Sequence, residues 1–256
     1  MITSTHWRGK RYAVLGLARS GLATVDALLA SGAEVVAWDS NEETLRSFRA
    51  QSRNDGDSDP SFSTALETNG SLDVADLLEI DLAGFEAVVV SPGVPLNTHP
   101  IAAKARDAGV PVIGDIELFA QARGELPPHK VVGITGTNGK STTTALIDHV
   151  VRAAGRPSLA GGNIGLPILG RDPLPAGGAY VLELSSYQID LTFSLDCDVA
   201  VLLNLTPDHL DRYDGFEGYA ASKARLFAMQ SQGHAAVIGI GDAPSAAIAR
   251  QVAESG

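Results

Sequence analysis

Cysteine is almost missing: Cys197 is the only one in 256 residues. One thiol cannot build an internal disulfide framework or a zinc–cysteine cluster. No motif surrounds it, so it is expected to pack as a small apolar side chain. Aromatic residues are also scarce, at 5%, while Gly is plentiful at 27 residues, a balance that suits helices packed closely on a parallel sheet. Positive charge is in deficit. The 19 Lys and Arg face 30 Asp and Glu, a formal charge of −11, which argues against nonspecific nucleic-acid or anionic-membrane binding. No stretch approaches the roughly 18 apolar residues of a bilayer span. The opening MITSTHWRGKRY has no apolar run after its basic residues, so it does not read as a secretory signal. The expectation is a cytoplasmic protein with no membrane insertion and no nucleic-acid partner.

What is present is an alternation of strand and helix signals. Residues 11–16 read as a strand, 20–31 as a helix and 33–38 as a second strand. Residues 51–71, rich in Ser, Asp, Asn and Gly, read as a mobile surface insertion. A strand returns at 86–91, followed by a helix near 98–108, a short strand at 110–113 and a helix at 115–123. After Pro127-Pro128 a new series begins: a strand from 131, a helix at 140–154, strands near 157–160, 178–184 and 198–203, a helix at 217–229, a strand at 234–239 and a helix at 243–253. Two consecutive α/β series, each opening on a Gly-rich turn, predict two doubly wound domains, 1–115 and 116–256. The join is expected near 112–118 or at the Pro-Pro pair.

The second Gly-rich turn carries the most chemistry. VVGITGTNGKSTT at 131–143 is an apolar β-branched strand, a tight turn and a helix start. Amide groups and the positive end of the helix dipole there suit phosphate. Lys140 would carry charge to the β- and γ-phosphates, and the Ser141 hydroxyl could ligate Mg²⁺. The common P-loop has a glycine five residues before Gly139, where this chain has Ile134; the loop is a shorter G-x-x-G-K-S-T from Gly136. An ordinary βα turn with an exposed lysine is the alternative.

The first turn, Gly16 to Gly21, follows a strand, and Asp39 ends the next strand 18 residues after Gly21. That is similar to a dinucleotide fingerprint, but Ala18 replaces the middle glycine. A nicotinamide cofactor, another nucleotide and a purely structural turn all remain open on these residues. Glu183 closes an apolar strand, and a buried carboxylate needs a partner, either Mg²⁺ or a cation. Asp208, His209, Asp211 and Arg212 crowd the end of another strand, where open α/β sheets place their ligands; a helix cap with an incidental imidazole is the plainer reading. The Gly161–Gly165 turn, with Asn163, contacts a substrate or simply turns the chain. Lys223, taken alone, passes for a solvated surface lysine.

TGTNGKST, GGNIG, LELSSYQ, NLTPDHLDRY and SKARLF, in this order and spacing, resemble the Mur ligases, the ATP-dependent amide-bond ligases of peptidoglycan precursor synthesis. GLARSGLAT, SPGVPLNTHP at 91–100 and GDIELF at 114–119 are similar to the branch that adds D-glutamate to UDP-N-acetylmuramoyl-L-alanine. The resemblance covers nearly the whole chain except 51–75. It implies a Rossmann-like N-terminal domain for the UDP moiety, a P-loop ATPase-type central domain, and a third domain that this chain would stop short of. By the same resemblance Arg19, Ser20, Asp39, Ser40, Ser91, Pro92 and Gly93 would surround the uridine and diphosphate. Asn163, Ser185 and Gln188 would face the muramoyl-alanine part. Gly136, Thr137, Asn138, Gly139, Lys140, Ser141 and Thr142 would hold ATP. Ser141 and Glu183 would take one Mg²⁺, and His209 with a carbamylated Lys223 would serve a second, making Lys140, His209 and Lys223 the catalytic set. The implied protein is a monomer that proceeds through an acyl phosphate. A sister ligase with a different amino acid, folylpolyglutamate synthase and a non-catalytic UDP-substrate-binding fragment are the rivals.

Overall fold

Near-continuous apolar runs need cover on both faces, and parallel sheets flanked by helices supply it. The computed structural model describes residues 1–53 and 70–255 and contains two such sheets. The chain divides into two units, Met1–Ala122 with Ile168–Arg171, and Arg123–Pro167 with Asp172–Gly256. Helix α4, Asp115–Ala122, therefore belongs entirely to the first unit.

In the first unit, strands β1 (Arg11–Leu15), β2 (Glu34–Trp38), β3 (Ser71–Val74), β4 (Ala87–Val90) and β5 (Val112–Ile113) lie in the order β3-β2-β1-β4-β5. All pairings are parallel, with Val14 beside Ala37 of β2 and Val89 of β4. β1 is the central strand, with β2 and β4 on either side, and every residue of β4 is buried. The chain leaves β1 in one direction through β2 and β3, then returns to β4 on the other side. That reversal opens a crevice at the C-terminal ends of β1 and β4. Helices α1 (Arg19–Ala30), α2 (Glu42–Arg53) and α3 (Ile101–Asp107), with α4, make the connections. Helix α2 and strand β3 were not foreseen. Of the polar stretch 51–71, residues 54–69 lie outside the described residues, 51–53 finish α2 and Ser71 opens β3.

The second unit orders its strands β10-β9-β6-β8-β7, again all parallel. These are β6 (His129–Thr135), β7 (Ser158–Gly162), β8 (Gly178–Glu183), β9 (Val199–Leu202) and β10 (Ala235–Ile238). Ile134, Val181 and Val201 form a core cluster across the three central strands, covered in part by Ile147 of helix α5 (Lys140–Ala153). Register sets Ile134 of β6 beside Glu183 of β8, and Thr135 beside Leu202 of β9. The three segments that follow these strands thus start from one edge of the sheet, where the order again reverses. Helices α6 (Ser186–Asp190), α7 (Gly215–Ala228) and α8 (Ala243–Ser255) complete the unit.

The opposite end of this sheet is tied by Asp198. Its carboxylate accepts from the Val131 amide at 2.8 Å and from Lys130 at 2.6 Å, and pairs with Arg123 at 3.4 Å. Arg123 also donates to the Asp196 carbonyl. Cys197, between these two aspartates, is fully buried, and burial pushes its thiol up to about 12, an inert group as composition suggested. Gly133 makes room for it, since a Cβ there would lie 2.6 Å from the Cys197 sulfur.

Candidate functional site

In the first unit the glycine turn is shaped by close contact. Gly16 has φ +91°, and a Cβ on Gly21 would lie 1.8 Å from the Gly16 carbonyl oxygen, so only hydrogen fits at the start of α1. Ser91, just past β4, donates its hydroxyl to the same carbonyl at 2.9 Å. Asp39 holds the turn from the other side: Oδ2 accepts the Leu17 amide at 2.6 Å and Oδ1 the Asn41 amide at 2.8 Å. The expected nucleotide partner is thus first a loop fastener, with one lone pair left on each oxygen. Arg19, Ser20, Ser40, Pro92 and Gly93 also lie at the C-terminal ends of the strands, with Arg19, Ser40 and Gly93 exposed. Beneath the turn is a shallow recess lined in part by Ser20, Thr24, Ser91 and Asp115. Asp115 went unremarked in the sequence. Burial pushes its carboxyl up to about 6, against the hydrogen bonds of the Ile116 amide and its own.

In the second unit Gly139, at φ +84°, caps the start of α5, and Lys140 is the first helical residue. The Lys140 ammonium folds back onto its own loop, donating to the Gly136 carbonyl at 3.0 Å and the Thr137 carbonyl at 2.9 Å. The next residue, Ser141, donates to Glu183 Oε2 at 2.7 Å, and Asn163 donates its amide to Oε1 at 2.8 Å. Glu183 is only 2% exposed. Its carboxylate therefore joins the phosphate loop, the end of β8 and the Gly161–Gly165 turn in one cluster. Gly162 permits the approach, since a Cβ there would fall 2.1 Å from the Glu183 carbonyl oxygen.

Gln188 and Ser185 are turned toward each other. The Ser185 hydroxyl accepts the Gln188 amide, and Gln188 Oε1 accepts the Ser185 amide, a capping box that starts α6. Gln188 is buried at 3% exposure, so its carbonyl oxygen shapes the helix start.

Lys223 is no surface lysine. It is 1% exposed, with Nζ 3.3 Å from the Thr135 hydroxyl and 4.8 Å from the Tyr219 ring centre. Burial, reinforced by the charge of Lys140, pulls its pKa down from 10.5 to about 7, against the attraction of Asp208 and Asp190. His209 has φ +52°, the only positive value at a non-glycine among the described residues. Its ring packs on Tyr187 at 5.0 Å and edge-on to Tyr219 at 6.2 Å, with Asp208 at 3.5 Å. Tyr219 thus touches both His209 and Lys223, and no hydrogen bond joins those two among the described residues. Among the described residues no group of three or more His, Cys, Asp and Glu forms a ready metal cage. A site of one carboxylate and one hydroxyl still suits Mg²⁺, which keeps several waters and takes the rest of its oxygens from phosphates.

Known proteins resemble this chain over most of its length. The profile of the Mur ligase middle domain fits residues 134–256, and that of the Mur ligase MurD-like N-terminal domain fits residues 10–114. The chain belongs to the Mur ligase family. It is 65% identical over 251 residues to the UDP-N-acetylmuramoylalanine–D-glutamate ligase of Novosphingobium aromaticivorans, covering 98% of this chain and 52% of that protein. The enzyme of the same name from Sphingopyxis alaskensis is 64% identical over 252 residues, covering 98% and 54%. This Mur ligase chain thus spans about half the length of the curated relatives it matches. Among solved structures, the UDP-N-acetylmuramate:L-alanyl-γ-D-glutamyl-meso-diaminopimelate ligase from Neisseria meningitides superposes with a TM-score of 0.52 at 19% identity, covering 97% of this chain and 75% of that one. That likeness shows the Mur ligase fold. Among the described residues no helix is long and apolar enough to cross a membrane.

Proposed function

We propose that the full-length protein is the cytoplasmic, ATP-dependent ligase that adds D-glutamate to UDP-N-acetylmuramoyl-L-alanine in peptidoglycan precursor synthesis. The first unit holds the UDP part at the crevice beside Gly16, with Arg19, Ser20, Asp39, Ser40 and the Ser91-Pro92-Gly93 turn around it. The second unit holds ATP on residues 136–142. The observation that carries this reading is the Ser141–Glu183–Asn163 cluster, in which one buried carboxylate links the phosphate loop to the turn assigned to the muramoyl-alanine.

The substrate carboxylate must approach a triphosphate of the same sign, so repulsion is the first barrier. Lys140 swings from its loop carbonyls to the phosphates, and Asn163 orients the acceptor, so positioning and fixed charge lower the barrier together. Glu183 and Ser141 would hold one Mg²⁺, and His209 with Lys223 a second, supplying charge neutralisation at the phosphates. The buried Lys223 amine, largely deprotonable near neutral pH, suits capture of CO₂ as a carbamate, which converts a cation into an oxygen ligand. A carboxylate oxygen of UDP-N-acetylmuramoyl-L-alanine attacks the γ-phosphorus of ATP and ADP leaves, giving an acyl phosphate. The D-glutamate amine then attacks the acyl carbon, gives up a proton, and inorganic phosphate leaves.

Lys140→Ala in the full-length enzyme is expected to abolish ATP-dependent joining of D-glutamate to UDP-N-acetylmuramoyl-L-alanine, followed as phosphate release. Undiminished turnover sinks the assignment. Replacing D-glutamate by other amino acids in the same assay separates this enzyme from its sister ligases.

A further inference from the structure

The phosphate loop is fastened at its apex by a side chain to which none of these roles falls. Asn204 follows β9. Its Oδ1 accepts the Asn138 amide at 2.9 Å and its Nδ2 donates to the Asn138 carbonyl at 3.0 Å. Its own main-chain carbonyl accepts the Thr137 amide at 2.9 Å. The side-chain amide therefore satisfies both main-chain groups of one loop residue, as a neighbouring strand would. Thr137 adds a second tie, donating its hydroxyl to the Thr206 carbonyl at 3.1 Å and accepting the Thr206 amide at 3.0 Å.

The base of this clamp is itself anchored. The Leu203 amide donates to the Thr135 carbonyl at 3.0 Å. Leu205 is 2% exposed, and its amide donates to Asp242 Oδ2 at 3.1 Å, while Asp242 Oδ1 accepts the Ser245 amide at 2.8 Å in the first turn of α8. Gly136 lies against the same segment, where a Cβ would come 3.1 Å from the Leu203 Cβ.

Two consequences follow for anion binding. The amides of Thr137 and Asn138 already have acceptors, so they are not the ones that meet phosphate. The amides at the head of α5, from Gly139 to Thr142, have no intrahelical carbonyl within reach and are the ones left for it. We propose that Asn204 is a positioning residue for the phosphate loop, holding the Asn138 peptide so that the amides of residues 139–142 converge on the nucleotide. This rests on reading the loop as the ATP site. Asparagine fits because the task needs one acceptor and one donor on a short side chain; aspartate lacks the donor and alanine lacks both. Without the clamp, ATP itself must order the loop, and binding weakens while chemistry in the bound complex changes little.

The test compares ATP titrations of the full-length wild-type enzyme and Asn204→Ala, with steady-state kinetics. The loss of two hydrogen bonds is expected to raise the Kd for ATP about tenfold. The kcat at saturating ATP should stay within about threefold and the KM for the UDP substrate should not move. If wild type binds ATP and Asn204→Ala binds it within twofold as well, the positioning role is overturned and the ATP site stands. Absence of ATP binding by wild type overturns both. A second measurement needs no variant: in nucleotide-free wild type, hydrogen exchange should be slow at the Thr137 and Asn138 amides and fast from Lys140 to Thr142. An Asn138 amide exchanging as fast as that of Lys140 also overturns the proposal.

Discussion

Glu183→Gln separates what the buried carboxylate does for the fold from what it does for the reaction. The substitution keeps shape and volume and removes one charge. Gln Oε1 can still accept from Asn163, while its NH₂ group faces Ser141, whose hydroxyl can turn from donating to accepting. Both contacts survive, weakened from charge-assisted bonds of about 1.5–3 kcal/mol to neutral ones of about 0.5–1.5 kcal/mol. Against that loss of roughly 2 kcal/mol stands relief from burying an ion, itself worth several kcal/mol. The melting temperature is therefore expected to hold or to rise by a few degrees, at roughly 2–4 °C per kcal/mol for a protein of this size. Turnover should move the other way. On the proposed reading Glu183 would be the anionic ligand of Mg²⁺, whose charge would supply several kcal/mol to the transition state, so its loss should slow ATP-dependent ligation by about 10²-fold or more. Thermal melts of the variant and phosphate release by the full-length enzyme give both numbers. A melting temperature lowered by about 5 °C with turnover retained would show a structural glutamate and refute the reasoning.

Asp198→Ala should cost about 2–3 kcal/mol in a denaturant titration, because it strands the Val131 amide and removes the counter-charge of Arg123, which keeps its bond to the Asp196 carbonyl, while the exposed Lys130 contributes little. Burial alone would raise Asp196 and Asp198, but hydrogen bonds from Ser231 and His234 to the first, and from Lys130 and Val131 to the second, hold both below the usual carboxylate range. Their stabilisation is whole above about pH 4 and is lost as pH falls through the lower folded values; changing both to Asn should flatten that acid limb in melts across pH 2–5. Gly21→Ala puts a methyl 1.8 Å from a backbone oxygen, and should destabilise by about 1–3 kcal/mol or more and weaken UDP binding in a titration; unchanged values for both would show that the Gly16 turn yields freely.

The two sheets were readable because β1, β4 and β8 are buried on both faces and so write themselves as apolar runs. Helix α2 was not: among its described side chains, at 42–50, only Leu45 and Phe48, three residues apart, are buried in an otherwise polar segment. Strand β3 is a half-exposed edge strand, SLDV, too short and mixed to announce itself. The start of α6 is in plain view, since Ser185-x-x-Gln188 is the spacing of a capping box. Ser141, Glu183 and Asn163 do converge, because the segments leaving neighbouring parallel strands start from the same end of the sheet. Asp39 and Gln188 showed only their residue type, which fits a ligand and a backbone amide equally well. Asn204 was invisible for a different reason: its partner is the main chain of a residue 66 positions away, and no side-chain pattern records that.

The resting position of Lys140 sets a threshold on what can occupy the loop. Its ammonium already has two carbonyl acceptors, at Gly136 and Thr137, so a ligand gains only the difference between those bonds and the new ones. A weakly charged anion offers little advantage over two carbonyl dipoles and leaves the lysine where it is. A polyphosphate offers full negative charges and draws it away. On the proposed reading of the loop as an ATP site, the lysine's attraction for phosphate is offset by the release of these two carbonyls, which favours ligands of high charge density.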